Sequence, residues 1–261
     1  CAYCAQSARY NTKISTQILS EEDIISQAKK AIANGASRIC LSMSGKEIKD
    51  NDDLTKIINA AKKIRQLDVN VCCTLGTIND ASIVKKLKKA GITAYNHNLD
   101  TSENFYPKII TTRKYQDRIN TINLLIKEKL NYCSGGIIGM GEKESDRIAL
   151  IHKLSTMPKH PFSIPINVLV PIEGTPLYEK FTPPTIFELI RLIATTRIIM
   201  PKSIICLAAG RQFLSDEQQT LCFIAGANSV FIGDKLLTTK NNDCEKDKNL
   251  FNTLGFKLNL H

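Results

Sequence analysis

A (β/α)8 TIM-type barrel whose first strand is missing from this chain is the fold class that the sequence predicts, and three observations carry it. A length of 261 residues suits one such barrel. Short apolar β-like runs alternate with amphipathic helical stretches along the whole chain. No glycine-rich phosphate loop joins a strand to a helix, which argues against the alternative, an open doubly wound sheet.

Taken in order, Ser20 opens the first helix as an N-cap, with Asp23 three residues on in the manner of a capping box. Ile24, Ile25, Ala28, Ala31 and Ile32 then recur at helical spacing until Gly35 ends the run. A second helix repeats this design from Asn79 to Ala90 and stops at Gly91. Further helical patterns cover about 52–66, 115–129, 144–157, 185–200 and 216–225. Between them lie β-like segments at 37–42, 70–75, 93–100, 131–135, 164–170, 204–208 and 229–232, roughly seven strands that each lead to a helix or loop. No low-complexity linker divides the chain, so 1–261 reads as a single domain with 240–261 as a C-terminal extension.

Composition narrows the class. The chain is 43% hydrophobic and 23% charged, ordinary for a folded domain and unlike a disordered or coiled-coil sequence. No apolar run approaches the roughly 18 residues of a membrane span. The net charge of +10 comes from lysines scattered in pairs such as Lys29-Lys30, Lys62-Lys63 and Lys85-Lys86. With Trp absent and aromatics at 6%, little is left for stacking bases, so the basic surface reads as solvated and no nucleic-acid partner is expected. Nine cysteines, an odd number without a visible signal peptide, point to a reducing compartment, read as cytoplasmic, and to thiols that serve metal or redox chemistry. The chain starts on Cys1 without an initiator Met, so it reads as a fragment or processed product.

Strand alternation separates two sets of side chains. In the segment 70–75, Val71, Cys73 and Leu75 pack under helices while Asn70, Cys72 and Thr74 point inward. The same logic turns Arg38, Cys40 and Ser42 inward, and with them Cys133, Asn167 and Cys206. Asn96, Asn98 and Asp100 share one face. An ordinary barrel centre is filled by branched apolar residues. Here four cysteines and several amides converge where unpaired polar groups are costly. Their spacing places them one or two βα units apart, able to meet across a barrel. Thiolates of this kind suit zinc or iron–sulfur; the competing reading is four buried cysteines acting as small hydrophobes.

Cys1-Ala2-Tyr3-Cys4 is a C-x-x-C whose continuation, CAYCAQSARYNT, is more specific than the pair alone. With TLGT (74–77), YNHNLDTS (95–102), IITTR (109–113), CSGGIIGMGE (133–142), PINVLVPIEGTPL (165–177), AGR (209–211) and AGANSVFIGDKLLTT (225–239), it resembles the biotin synthase family of radical S-adenosylmethionine enzymes over essentially the whole chain. The resemblance implies sulfur insertion into dethiobiotin by a 5′-deoxyadenosyl radical, with the sulfur taken from an auxiliary iron–sulfur cluster. It also implies a homodimer, and an electron donor such as flavodoxin or ferredoxin. The runner-up enzyme is another barrel-type radical S-adenosylmethionine enzyme with a different substrate. A non-catalytic metal-binding or nucleic-acid-binding protein is the alternative of another class.

By the same resemblance, Cys1 and Cys4 match the second and third ligands of a 4Fe–4S cluster, the first lying four residues before Cys1 and absent from the chain. Cys40, Cys72 and Cys133 match ligands of the auxiliary cluster, a 2Fe–2S type in the family. Cys206 stands where relatives carry a ligating arginine, and an all-thiolate site implies a lower potential and a larger all-cysteine cluster. Tyr3, Asn98 and Asp100 are implied contacts of S-adenosylmethionine. Asn98, Asn167, Thr238 and Thr239 are implied contacts of dethiobiotin, the two threonines at its tail carboxylate. His97 and Glu142 read as structural. A second departure follows Cys40, where Leu41-Ser42-Met43-Ser44-Gly45 replaces an alanine-rich loop of the family.

Overall fold

The structure is a computed structural model and describes residues 1–12, 18–233, 235–236 and 238–256. The chain forms two compact units, one made of Cys1–Ser15, Asn98–Gln116 and Cys133–Asp243, the other of Thr16–His97, Asp117–Tyr132 and Cys244–His261. Among the described residues no helix is long and apolar enough to cross a membrane.

The second of these units carries three parallel strands, β1 (Arg38–Ser42), β2 (Asn70–Thr74) and β3 (Ile92–Asn96), in that order. Helices α1 (Glu21–Ala33), α2 (Asp52–Arg65) and α3 (Ala81–Lys89) precede or connect them. Each helix start is set by a side-chain oxygen that accepts an otherwise unpaired backbone N–H. Ser20 takes that of Asp23, Asn51 that of Leu54 and Asp80 that of Ser82. Apolar spacing then decides the buried face: α2 buries Leu54, Ile57, Ala60, Ala61 and Ile64, and α3 buries Ile83, Val84 and Leu87. Gly91 follows α3 at φ +87°, and a Cβ there would lie 2.8 Å from Cγ of Arg65. Val71, Cys73 and Leu75 are fully buried, whereas Asn70 and Thr74 are half-buried, as the alternation of β2 demands.

In the unit that begins at Cys1, β6 (Ser163–Val168), β7 (Ile204–Leu207) and β8 (Ser229–Val230) run parallel side by side. Cys133, the last residue of β4 (Asn131–Cys133), pairs with Ser163, and β5 (Gly136–Ile138) pairs with the far end of β6. Helices α6 (Glu144–Ser155), α7 (Ile186–Ile199) and α8 (Asp216–Ile224) alternate with these strands, and α7 and α8 open on capping boxes at Thr185 and Ser215. A short helix α4 (Tyr106–Ile109) precedes α5 (Tyr115–Lys127), which from Asp117 on belongs to the other unit. Near the end, β9 (Lys235–Leu236) and β10 (Thr239–Lys240) form an antiparallel pair, and α9 (Cys244–Thr253), a member of the other unit, follows. The expected C-terminal extension thus contains β10 and α9, and its residues 257–261 lie outside the described residues.

The expected strands 164–170 and 229–232 end two residues early, at Val168 and Val230, and two others differ more. The segment 93–100 stops being a strand at Asn96, and Asp100, in the left-handed region at φ +68°, pairs again only as an isolated parallel bridge to Gly136. The segment 131–135 is cut short at Cys133, and pairing resumes only at Gly136 as a separate strand. Gly135 lies in the gap so close to β6 that a Cβ on it would fall 1.9 Å from the carbonyl oxygen of Pro165. Only glycine permits that approach.

Candidate functional site

The unit that begins at Cys1 gathers most of the expected site residues. The C-x-x-C folds as a turn, with Cys4 N–H donating to the Cys1 carbonyl at 3.2 Å, so both thiols sit on one tight loop. Ala2 N–H donates to the Ile109 carbonyl at 2.9 Å and fixes the loop against α4. Between the two cysteines, the Tyr3 hydroxyl donates to Oδ2 of Asp100 at 2.9 Å. Asp100 is buried, and its backbone N–H and carbonyl are bonded to Gly135 and Ile137, at 3.1 and 2.8 Å. Asn98 joins the same wall, its Oδ1 accepting the Gly135 N–H at 3.1 Å. Tyr3, Asn98 and Asp100 are therefore brought together around the Gly135–Gly136 segment.

Asn167 lies on β6 with its amide spoken for on both sides. Nδ2 donates to the Gly136 carbonyl at 3.0 Å, and Oδ1 accepts the Ala209 N–H at 3.2 Å. It ties β5 to the loop that follows β7. Cys133 pairs with Ser163, which also pairs with Ile204, and Cys206 stands two residues beyond Ile204 opposite Pro165. Partners in register point to one side of a parallel sheet, as do residues two apart. Cys133, Ser163, Pro165, Asn167 and Cys206 thus share a face, opposite to the apolar Ile164, Ile166, Ile205 and Leu207. Both cysteines are buried.

Cys40 and Cys72 belong to the other unit, where they are register partners on β1 and β2. The Cys72 side chain above all holds the Cys40 thiol below its ordinary range; burial works against it, while Thr74, Ser42 and the charge of Arg38 add to it. Cys40 Sγ and Thr74 Oγ1 lie 3.8 Å apart. A thiol that ionises readily is the form a metal takes. Cys222 is the counterexample, fully buried on α8 with its thiol pushed up to about 12 by burial alone. Among the described residues no group of three or more His, Cys, Asp and Glu side chains is gathered tightly enough for one metal ion. The thiols are instead presented as a turn pair, a cross-strand pair and two members of one sheet face. Thiolates are the ligands that iron–sulfur clusters take.

The loop after β5 is supported through Glu142 by two residues that sequence reasoning did not single out, Arg147 and Glu188. Glu142 is buried and accepts the N–H groups of Gly139 and Met140 at 2.9 and 2.7 Å. Arg147 donates to Glu142 at 2.7 Å and to Glu188 at 2.8 Å. Burial opposes the charge on Arg147, and the two carboxylates overcome it, so its pKa is raised. Glu188 is held down to about 2, first by the Thr185 N–H and then by Arg147. The structural reading of Glu142 agrees with this network. Buried Arg211 likewise links Gln219 and the Phe231 carbonyl, each at 3.0 Å.

Thr238 and Thr239 line a cavity of about 640 Å³ together with Gln212 and Asn241, two residues that no periodicity or motif had singled out. The Thr239 hydroxyl donates to the Leu236 carbonyl at 3.3 Å. Asn241 Nδ2 donates to the carbonyls of Phe231 and Gly233 at 2.9 and 3.0 Å.

Comparison with known proteins places these observations. Residues 1–154 match the Radical SAM superfamily, and residues 165–257 match the Biotin and Thiamin Synthesis associated domain. A biotin synthase of Chlamydia abortus is 50% identical over 258 residues, covering 98% of this chain and 77% of that protein. The mitochondrial biotin synthase of Arabidopsis thaliana is 49% identical over 98% of this chain and 68% of its own length. Among solved structures, methylornithine synthase superposes with a TM-score of 0.80 at 20% identity, covering 99% of this chain and 79% of that one. At that identity the likeness shows the fold alone, an α/β fold built on parallel strands.

Proposed function

The chain belongs to the biotin synthase family of radical S-adenosylmethionine enzymes, and from that premise we infer that it inserts sulfur into dethiobiotin to form biotin. The observation that carries this reading to individual residues is the bond from Tyr3 to Asp100. It joins the cysteine turn to a buried carboxylate of the kind that binds a diol, so that iron ligands and a ribose contact stand in one wall. Cys1 and Cys4 would hold two corners of a 4Fe–4S cluster, which when bound would supply the electron for reductive cleavage of S-adenosylmethionine.

The protein's own part is to bind, orient and seclude. Asp100 and Asn98 present their polar groups from a backbone locked to Gly135 and Ile137. Tyr3, next to the iron ligands, keeps the Asp100 carboxylate oriented. Asn167 offers the amide positions left over from its two backbone bonds to the ureido ring of dethiobiotin. Thr238 and Thr239 take the tail of the substrate in the cavity they line.

Cys40, Cys72, Cys133 and Cys206 are the proposed ligands of the auxiliary cluster, and the lowered Cys40 thiol and the buried, like-facing Cys133 and Cys206 support the assignment. With Cys206 in place of arginine we read that site as an all-cysteine cluster larger than 2Fe–2S. A flavodoxin- or ferredoxin-type electron donor, a homodimer and a cytoplasmic setting complete the reading.

Anaerobic reconstitution of the full-length parent protein with iron and sulfide, followed by product analysis with dethiobiotin and S-adenosylmethionine, tests it. Biotin together with 5′-deoxyadenosine is the expected outcome. Formation of 5′-deoxyadenosine without biotin would overturn the substrate and leave only the radical chemistry.

A further inference from the structure

Thr74 closes β2 two residues beyond Cys72, on the same face of the strand, and Cys72 is the register partner of Cys40. Thr74 Oγ1 lies 3.8 Å from Cys40 Sγ, and among the described residues that hydroxyl has no other hydrogen-bond partner. Either atom can be the donor while Cys40 is a thiol. Once Cys40 gives up its proton to ligate iron, only the hydroxyl has a hydrogen to offer, and the sulfur becomes its acceptor.

The hydroxyl is held where it stands. The Thr74 carbonyl accepts the Met43 N–H at 3.0 Å, which ties the end of β2 to the residue that follows β1. One residue on, the Leu75 N–H donates to the Tyr95 hydroxyl at 3.1 Å, and that hydroxyl donates to the Gly76 carbonyl at 2.8 Å. Leu75 and Tyr95 are both fully buried. A donor fixed in this way needs no reordering when negative charge builds up on the sulfur beside it.

Hydrogen bonds to a ligating sulfur draw charge off the thiolate and favour the reduced cluster. Resting on the assignment of Cys40 to the auxiliary cluster, we propose that Thr74 is a positioning residue of that site, its hydroxyl donating to the Cys40 sulfur and raising the reduction potential of the cluster. No covalent bond changes, since the proton stays on Thr74 and reduction only adds an electron to the cluster. The effect opposes the one expected of Cys206, whose thiolate in place of a nitrogen donor lowers the potential. Thr74 returns to the site part of what an all-cysteine ligand set takes away.

The test is a potentiometric titration of the full-length protein reconstituted with iron and sulfide, followed by electron paramagnetic resonance and visible absorption. The signal lost in Cys40→Ala is that of the auxiliary cluster. Thr74→Val keeps the branched shape and removes the hydroxyl. It is expected to make reduction about tenfold less favourable, a shift of about 59 mV to more negative potential for one electron. Thr74→Ser, which keeps the hydroxyl, is expected to stay close to the wild type. The iron–sulfur stretching bands of the wild type are expected to move in deuterium oxide when read by resonance Raman spectroscopy. A midpoint that Thr74→Val leaves in place, or that Thr74→Ser shifts equally far, overturns the inference and leaves the cluster assignment standing. If Thr74→Val does not load iron, the wild-type bands decide, and bands unmoved in deuterium oxide overturn it. If Cys40→Ala loses neither iron nor sulfide, Cys40 is no ligand, and the assignment falls together with the inference.

Discussion

Cys40 and Cys72 stand directly opposite each other on neighbouring parallel strands, and the Cys72 side chain is the first cause of the lowered Cys40 thiol. Replacing Cys72 by alanine is therefore expected to raise the Cys40 pKa. Alkylation rates of the metal-free protein followed against pH would show the Cys40 profile move to higher pH in Cys72→Ala. An unmoved profile would mean that Thr74, Ser42 and Arg38 set the ionisation without Cys72.

On the proposed assignment, Cys206 decides the nature of the auxiliary cluster. Iron and sulfide analysis with Mössbauer spectroscopy is expected to reveal a site richer than 2Fe–2S, and Cys206→Ala to lose iron and sulfide from it. A plain 2Fe–2S spectrum that Cys206→Ala leaves untouched would remove Cys206 from the ligand set.

Gly135→Ala is expected to be severely destabilising, since its Cβ would meet the Pro165 carbonyl oxygen at 1.9 Å, and both partners are backbone. A loss of more than about 3 kcal/mol fits such overpacking. Denaturant unfolding measures it, and a loss below about 1 kcal/mol would show that β6 can yield.

Glu188 gives a pH dependence with a definite sign. Its folded-state carboxyl lies at about 2, below the ordinary 4.5, held there first by the Thr185 N–H and then by Arg147. The stabilisation is therefore fully present above the ordinary value and is lost as pH falls toward 2. The side chain is 31% exposed, so solvent screening keeps the effect modest. Acid unfolding followed by circular dichroism should be less steep across that window in Glu188→Gln than in the wild type.

Tyr3→Phe is expected to weaken S-adenosylmethionine binding about tenfold, the scale of a lost bond to a charged group. Combined with Asp100→Asn, the second loss should be smaller than the first, because the two residues share one bond. Equilibrium binding of S-adenosylmethionine to the reconstituted protein reads out both, and strictly additive losses would show that the bond does no positioning.

Much of this could be read from residues alone, because the signals were local. Ser20 and Gly35 bracket α1 by chemistry that acts within one turn, and the apolar Val71, Cys73 and Leu75 settle which side of β2 carries Cys72. The break between β4 and β5 was not legible, since Cys133-Ser134-Gly135 continues an apolar strand until the approach of Pro165 is known. Nor was the end of β3 at Asn96, since the polar and apolar residues of 97–100 continue the strand pattern. Gln212 sits in a three-residue 3-10 turn and Asn241 in a loop, both too short to show a period, and Arg147 reaches Glu188 across 41 residues of sequence. Such contacts are products of the tertiary fold and leave no pattern in the chain.

The two bonds of Asn167 have a consequence for the ageing of the protein. Hydrolysis of that one amide to aspartate would exchange the donor facing the Gly136 carbonyl for a negative oxygen, turning a clasp into a repulsion. The Ala209 N–H would still find an acceptor, so the loop beyond β7 would hold while β5 was pushed away. Slow chemical damage at a single nitrogen would therefore loosen the pocket wall from one side and leave the rest of the sheet intact.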